Sequence, residues 1–224
     1  PGPAGQAGCL RVRRATPEGQ PSAAEILIYG DIGESWDGES VTAAAFLRAL
    51  DRLDAEELTV RINSYGGSVS DGLAIHNALQ RKRKDALVTI AVDGVAASSA
   101  SMIAMAGDTV ALAANALLMI HAPWGMAVGN AVDMRDMAAT LDRYAQAMAH
   151  AYARNGFTAA DALPLLQDGQ DHWYTAEEAK ALGLIDRIDA AAPIAAQVPE
   201  RYRPGARHRF LSDALAKPDP AAGD

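Results

Sequence analysis

The sequence predicts an α/β fold built on a largely parallel β-sheet. Strand-like segments alternate with helical segments along most of the chain, which is the order expected of parallel strands joined by helices. One segment, Ala86–Val92 (ALVTIAV), is almost continuously apolar and β-branched, as is typical of a strand buried on both faces. The chain has 224 residues, of which 50% are hydrophobic, so it is long enough to bury one substantial core.

In the first half of the chain, three strands each lead through a loop or turn into a helix. The alternation of EILIY predicts the first strand, and Ser40 is of the type that caps a helix. The predicted elements, in order, are a strand Glu25–Tyr29, a Gly/Asp-rich loop over 30–38, a helix from Ser40 to about Leu53, a strand Leu58–Ile62, a loop over 63–68, a helix from Ser70 to Lys82, the strand Ala86–Val92, and a tight turn at Gly94 that opens a buried helix ending near Gly107.

The second half contains shorter strands and one long amphipathic helix. Thr175, with Glu178 three residues later, forms a capping box, and Gly183 ends the helix that this box opens. The predicted elements are strands Thr109–Ala113 and Leu117–His121, a long helix from Asn130 to about Asn155, the short capped helix, and a last strand Leu184–Ile188.

The two ends of the chain differ from this middle part in composition. Residues 1–24 are predicted to be a flexible leader, residues 25–189 a single folded domain, and residues 190–224 an Ala/Pro-rich disordered tail. The tail has one candidate short helix near Phe210–Ala216.

Charge and composition exclude several classes of partner. The net charge of −8 does not suit binding to a phosphate backbone, so we expect no nucleic-acid partner. No apolar run reaches the roughly 18 residues that a membrane span requires. The one cysteine, Cys9, fits a reducing compartment, and we expect a cytoplasmic protein. No cluster of metal-ligating residues and no nucleotide-binding motif is present, so no metal or organic cofactor is expected.

Ser98 is the first candidate for chemistry. It follows the apolar strand and a turn of small residues (Gly94-Val95-Ala96-Ala97), at the predicted start of a helix. This placement exposes a hydroxyl beside the free N–H groups of a helix end, as in a nucleophile elbow, although the residues are not GxSxG. The same pattern also suits a turn whose small residues only let a helix pack closely on the sheet.

His121 and Asp171 are the candidate base and acid. His121 ends the strand LLMIH, where an imidazole can take a proton from a neighbouring serine. Asp171 precedes an aromatic pair and the capped helix, where a carboxylate can hold the histidine tautomer. A lone histidine is more often structural, an aspartate here is more often part of an ordinary turn, and Asp168 is close enough to be the acid instead.

Two glycines after the second predicted strand complete the candidate site. Gly66 and Gly67 allow the backbone to turn its N–H groups outward without steric cost. The N–H of Gly67 and that of Ser99 would then form an oxyanion hole. The alternative is an ordinary turn between a strand and a helix.

Four segments together resemble one family, the Clp protease proteolytic subunit. They are INSYGGSVSDGLAIHNAL, VDGVAASSASMIAMAGD, LLMIHAPWG and DHWYTAEEAKALGLID, and the resemblance covers about residues 25–188. It is closest to the prophage-encoded subgroup associated with head maturation. The resemblance implies a spiral of parallel strands shared with the crotonases, flanking helices and a protruding handle helix, which here is the long helix after Asn130.

The resemblance also implies roles for individual residues. The nucleophile is Ser98, the base His121, the acid Asp171, and the oxyanion donors are Gly67 and Ser99. Gly66, Ser68, Trp124 and Gly125 would bind a substrate that lies as an extended strand along a sheet edge or the Trp124–Gly129 segment. Tyr65 stands where the family usually has proline, and Ser99 stands where the housekeeping enzymes have methionine.

The implied activity is hydrolysis of peptide bonds through an acyl-enzyme. Expected partners are protein or peptide substrates, including capsid or scaffold proteins, and further copies of the chain in a ring. Residues 1–24 have no clear match to the axial loops of the housekeeping enzyme, so both an ATP-independent and a Clp-type enzyme with an ATPase partner stay open.

Two rival interpretations share parts of this pattern. A crotonase-like enzyme would use the same glycine N–H groups to stabilise an acyl-CoA enolate, but it needs no Ser/His pair. A catalytically silent assembly component would have the triad residues without their alignment.

Overall fold

The described part of the chain is organised around one branched β-sheet, seen in a computed structural model that describes residues 10–14, 22–34 and 40–190. The described strands are β1 Leu10–Arg14, β2 Ala23–Tyr29, β3 Asp31–Ile32, β4 Ser40–Val41, β5 Glu57–Ser64, β6 Leu87–Ala97, β7 Thr109–Ala113, β8 Leu117–His121, β9 Asp171–Tyr174 and β10 Arg187–Asp189. All belong to this sheet except β3 and β4, which form a separate two-stranded sheet. Its helices are α1 Ala43–Asp51, α2 Val69–Lys82, α3 Ser99–Ala104, α4 Ala131–Ala151, α5 Ala159–Leu165 and α6 Ala176–Ala181.

The sheet branches at β6. Its main path runs β1-β2-β5-β6-β7-β10, and all neighbours along it are parallel except β1, which is antiparallel to β2. The first part of β6 pairs with β7 and its last residues pair with β8, which in turn pairs antiparallel with β9. A register shift between Ile62 and Ser64 of β5 accompanies this change of partner. The predicted α/β fold with a mostly parallel sheet is confirmed.

Five of the six described helices begin at a polar side chain that caps them. Thr42, Ser68, Asn130, Thr158 and Thr175 each accept a hydrogen bond from a backbone N–H in the first turn of the following helix. The capping box at Thr175 and Glu178 lies where the sequence predicts it. The cap of α1, however, is Thr42 rather than Ser40, because Ser40 and Val41 pair with β3.

The longest helix, α4, extends away from the core in its first half. It begins and ends within the predicted range, from Asn130 at its N-cap to Tyr152 at its C-cap. Val132 and Met134 are 59% and 41% exposed, whereas Met148 and Tyr152 are fully buried. The carboxyl-terminal half therefore anchors the helix, and the first half forms the protruding handle that the resemblance implies.

Some elements differ from the sequence prediction. Within the predicted leader, residues 10–14 form strand β1 and residues 23–24 begin strand β2. Residues 1–9 and 15–21 of that leader, and the predicted tail beyond residue 190, lie outside the described residues. The predicted turn at Gly94 is wrong, since β6 continues to Ala97 by changing its partner from β7 to β8. Strand β9 and helix α5 have no counterpart among the predicted elements.

Candidate active site

Ser98 lies at a sharp turn between strand β6 and helix α3. Its backbone has φ of +55°, a left-handed conformation that is uncommon for a residue with a side chain. Its N–H donates to the carbonyl of Met119 at 3.0 Å, which continues the pairing of β6 with β8. A strained serine between a strand and a helix is the geometry of a nucleophile elbow, and the surrounding strands hold it in place.

His121 is brought to Ser98 by the pairing of β6 with β8. Ala97 pairs with Met119, so the two strands end side by side with Ser98 and His121 at their carboxyl ends. The Nε2 atom of His121 lies 2.7 Å from Ser98 Oγ, and His121 as a whole is only 4% exposed. The structure therefore brings the predicted nucleophile and base into direct hydrogen-bond contact.

Asp171 contacts the other nitrogen of the imidazole. Strand β9 places it opposite His121, with 3.2 Å between Asp171 Oδ1 and His121 Nδ1. A carboxylate only accepts hydrogen bonds, so Nδ1 carries the proton and Nε2 is left to accept the proton of Ser98. The chain of contacts thus orients the imidazole so that Nε2 faces Ser98 Oγ.

Asp168, the alternative acid, contacts a different histidine. Its carboxylate lies 2.9 Å from His172 Nε2, and it accepts a hydrogen bond from the N–H of Gln170. These two contacts, the Gln170 bond foremost, lower the pKa of Asp168 below its usual value. Asp168 thus pairs with His172, whereas Asp171 pairs with His121.

The two predicted oxyanion donors are the N–H groups of Ser99, at the start of α3, and of Gly67, in the loop beside β3. Ser99 is the first residue of α3, so its N–H has no acceptor within the helix. Ile32 of β3 bonds to Gly66 O and to the N–H of Ser68, so the N–H of Gly67 between them points away from β3. The Ser99 hydroxyl is buried and has no partner among the described residues.

Gly66 is required because the loop after β5 packs directly on the Ser98 turn. A Cβ atom at this position would lie 2.6 Å from Ala97 O and 2.7 Å from Ser98 Cβ, and φ is +93°. The N–H of Gly66 donates to Ser64 Oγ, and its carbonyl accepts from Ile32. Gly66 thus sets the distance between the loop and the serine, and its contact with substrate stays a prediction.

Ser68, also predicted to bind substrate, caps helix α2. Its hydroxyl caps α2 by accepting from the N–H of Asp71, and donates to the Asp71 carboxylate at 2.7 Å. Its N–H is bonded to Ile32 O and its carbonyl accepts from Gly72. These contacts fix Ser68 between the β5 loop and helix α2, and its contact with substrate stays a prediction.

Trp124 and Gly125 lie in the segment that follows His121. Residues 122–128 form neither helix nor strand, and Trp124 is 58% exposed. A Cβ atom at Gly125 would lie 3.8 Å from Met137 Sδ and 3.9 Å from Leu141 Cδ2, so the segment passes alongside α4. It therefore leaves His121 along the handle with its aromatic side chain largely in solvent.

Two residues near Ser98 are not marked as site residues by any pattern in the sequence. Ser101 and Tyr152 are both fully buried, and their hydroxyl oxygens are 2.8 Å apart beneath the Ser98 turn. Tyr152 stands at the end of α4, far from Ser98 along the chain, and only the packing of α4 against α3 brings them together. Periodicity assigns both to the core, where a hydroxyl needs a partner.

Comparison with known proteins identifies the family of this chain. Residues 22–191 match the family model described as Clp protease. The chain belongs to the Clp protease family. It is 33% identical to an ATP-dependent Clp protease proteolytic subunit of Pleurastrum terricola, over 74% of this chain and 83% of that one. It is 34% identical to the proteolytic subunit of Leuconostoc citreum, over 73% and 81% of the two chains.

A solved structure of the Clp protease family has the same fold. A mutant of ClpP1 from Listeria monocytogenes superposes with a TM-score of 0.57 at 24% identity, covering 74% of this chain and 91% of that chain. No described helix is both long and apolar enough to cross a membrane. Over the same residues, no group of three or more His, Cys, Asp or Glu side chains is arranged to hold a metal ion.

Proposed function

We propose that this member of the Clp protease family is a serine endopeptidase in which Ser98 is the nucleophile, His121 the general base and Asp171 the acid that orients it. The observation that carries the proposal is the continuous chain of contacts from Ser98 Oγ through His121 to Asp171, at 2.7 and 3.2 Å. Burial of the imidazole and the strained backbone of Ser98 add support, since both features are typical of catalytic sites.

In the proposed reaction, His121 Nε2 takes the proton of Ser98 while Oγ attacks the carbonyl carbon of the scissile bond. The imidazolium, stabilised by Asp171, then gives that proton to the leaving amine, and the acyl group stays on Ser98. Water repeats the sequence and releases the carboxylic acid. The negative charge on the tetrahedral oxygen would be held by the N–H groups of Gly67 and Ser99.

The proposed substrate is an extended peptide that lies beside residues 122–128. This segment follows the base directly and has no strand partner among the described residues, so its backbone is suited to pairing with an added strand. Trp124, exposed at the start of the segment, would contact a side chain of the peptide.

The proposed assembly is a ring of identical chains that acts in the cytoplasm, as the names of its relatives describe a proteolytic subunit. The resemblance of the Ser98 and His121 motifs to prophage-encoded members supports capsid or scaffold proteins as substrates.

Hydrolysis of an internally quenched peptide tests the proposed activity. The assembled wild-type protein is compared with Ser98→Ala and His121→Ala under identical conditions. Removal of a triad member typically lowers kcat by about 10⁴ to 10⁶. Equal rates for wild type and Ser98→Ala would refute the proposal, and tight binding of an acyl-CoA without hydrolysis would favour the crotonase-like alternative.

A folded, assembled wild-type protein that hydrolyses no peptide would instead support the silent assembly component. Circular dichroism and native mass of each variant show that the comparison is made between intact molecules.

A further inference from the structure

A buried hydrogen-bond network lies directly beneath Ser98. Ser101 Oγ is 2.7 Å from Ser98 O, 2.8 Å from Met119 O and 2.8 Å from Tyr152 Oη. Tyr152 Oη is also 3.4 Å from Ser98 O. Ser101 and Tyr152 are both inaccessible to solvent, so these contacts are not replaced by water at the surface.

The direction of the bonds follows from the number of hydrogens. Two of the three neighbours of Ser101 Oγ are carbonyl oxygens, which only accept, and Ser101 has one hydroxyl hydrogen to give them. Of the two acceptors near Tyr152 Oη, Ser101 Oγ at 2.8 Å is closer than Ser98 O at 3.4 Å, so Tyr152 donates to Ser101 and leaves the Ser101 hydrogen for one of the two carbonyls. Burial raises the pKa of Tyr152, which keeps this hydrogen on the phenol.

The two carbonyls that Ser101 contacts are connected to the carbonyl and to the N–H of Ser98. One is the carbonyl of Ser98 itself, and the other, on Met119, accepts the N–H of Ser98 at 3.0 Å. The backbone N–H of Ser101 also donates to Ser98 O at 3.0 Å. A single hydroxyl thus connects the strained residue to the strand that carries His121.

We propose that Ser101 and Tyr152 are positioning residues for the nucleophile: Tyr152, at the end of α4, orients the hydroxyl of Ser101, which holds the Ser98 backbone at the angle that aims Oγ at His121. The inference rests on the peptidase function proposed above. It adds to that function a physical connection between the handle helix and the serine.

Substitutions that remove only these hydroxyls measure the effect. A shift of about 1 Å at a reacting group can lower a rate roughly 100-fold, so we expect Ser101→Ala to lower kcat about tenfold to 100-fold. Tyr152→Phe keeps the Ser101 bonds and should lower kcat only about threefold to tenfold. KM should change less than about twofold in both, because neither hydroxyl is exposed to substrate.

The double variant tests whether Tyr152 acts through Ser101. If it does, Ser101→Ala with Tyr152→Phe should have the kcat of Ser101→Ala alone, whereas independent effects would multiply. Phe46→Leu is the matched control for lost core packing, because Phe46 is fully buried on α1 and belongs to no part of the site. All kcat values are measured well below the melting temperature and divided by the concentration of folded protein.

Each outcome decides the proposal. A lower kcat in Ser101→Ala, an unchanged kcat in the destabilised Phe46→Leu and a non-additive double variant support positioning. Full kcat in both hydroxyl variants, with only a lower melting temperature, shows a purely structural network and overturns it. If Ser101→Ala does not fold, the kcat of Tyr152→Phe decides the proposal by itself.

Failure of the proposed function would look different. In that case Ser98→Ala would retain the full rate of peptide hydrolysis. Loss of activity in Ser98→Ala together with full kcat in Ser101→Ala and Tyr152→Phe overturns only the positioning role.

Discussion

At the scale of the residue, Ser98 combines a strained backbone with hydrogen bonds to its N–H, its carbonyl and its hydroxyl. Its φ of +55° costs on the order of 1–3 kcal/mol, which the fold has to offset. Two hydrogen bonds hold the Ser98 backbone in this conformation. Its N–H donates to the carbonyl of Met119, and its carbonyl accepts from Ser101. The Ser98 hydroxyl is bonded to His121 instead of to the backbone.

Single residues are predictable only where a motif surrounds them. The runs around Ser98 and His121 resemble one family, and their proximity follows once β6 and β8 pair. Asp171 is harder to assign, since Asp168 has the same side chain three residues earlier; the register of β9 against β8 separates the two. Ser101 and Tyr152 cannot be linked from sequence, because nothing in the pattern pairs two core hydroxyls far apart in the chain.

The two aspartates provide a matched test of the acid. Asp171→Asn should lower kcat about 100-fold, because the amide can no longer stabilise the imidazolium or fix its tautomer. Asp168→Asn should stay within about twofold of wild type, since its carboxylate contacts His172. Steady-state hydrolysis of the same peptide by both variants measures this, and the reverse order of effects would assign the acid to Asp168.

At the scale of the element, the site depends on where strands end. Gly66, Ser98 and His121 lie at or just after the carboxyl ends of strands β5, β6 and β8. These ends meet at the same edge of the sheet because the strands are parallel. Long apolar strands and capped helices are predictable because their periods and caps are local features. Strand β9 is not predictable from local features, because its four residues DHWY are at most partly buried and its partner β8 lies far away in sequence.

The length of β6 shows why a strong local signal can mislead. Gly94 suggests a turn, yet the strand passes through it and exchanges β7 for β8 as its partner. A glycine inside a strand permits such a change of direction. Helix α5 is hard to predict although Thr158 and Asp161 form a capping box, because Pro164 in its interior argues against a helix.

Gly66 tests whether close contact between the β5 loop and the Ser98 turn is needed. Gly66→Ala should lower kcat at least about 100-fold, because the new Cβ displaces the turn by roughly 1 Å. Gly169→Ala is the control: its φ of +74° is also left-handed, but no atom lies within 4 Å of the new Cβ. It should lose stability by about 1 kcal/mol and keep its kcat. Equal activity losses in the two variants would show that strain, and not the contact, is responsible.

At the scale of the whole molecule, several large exposed apolar side chains gather on one projection. They belong to the segment after His121 and the first half of α4, and are Trp124, Met126, Val128, Val132 and Met134. We call this set the handle patch. Apolar side chains grouped in this way mark a surface for association, which agrees with the proposed ring assembly. The fold class is predictable from the order of elements, whereas the number of chains in an assembly is not encoded in any local pattern.

The handle patch predicts how the assembly responds to substitution. Met126→Gln combined with Val132→Gln should shift the native mass toward smaller species, because burial of these side chains between chains is lost. Leu182→Gln, at an exposed leucine that ends α6 outside the patch, should leave the native mass unchanged. Analytical ultracentrifugation of the three proteins measures this. A wild-type protein that sediments as a single chain would contradict the ring proposal.

The central claim is that Ser98 is an activated nucleophile, and covalent labelling tests it most directly. The assembled protein is treated with a fluorophosphonate, digested, and the adduct is located by mass spectrometry. We predict one adduct per chain on Ser98, none on Ser99 or Ser101, slower labelling in His121→Ala and no labelling in Ser98→Ala. An adduct on another residue, or unchanged labelling in Ser98→Ala, would contradict the account.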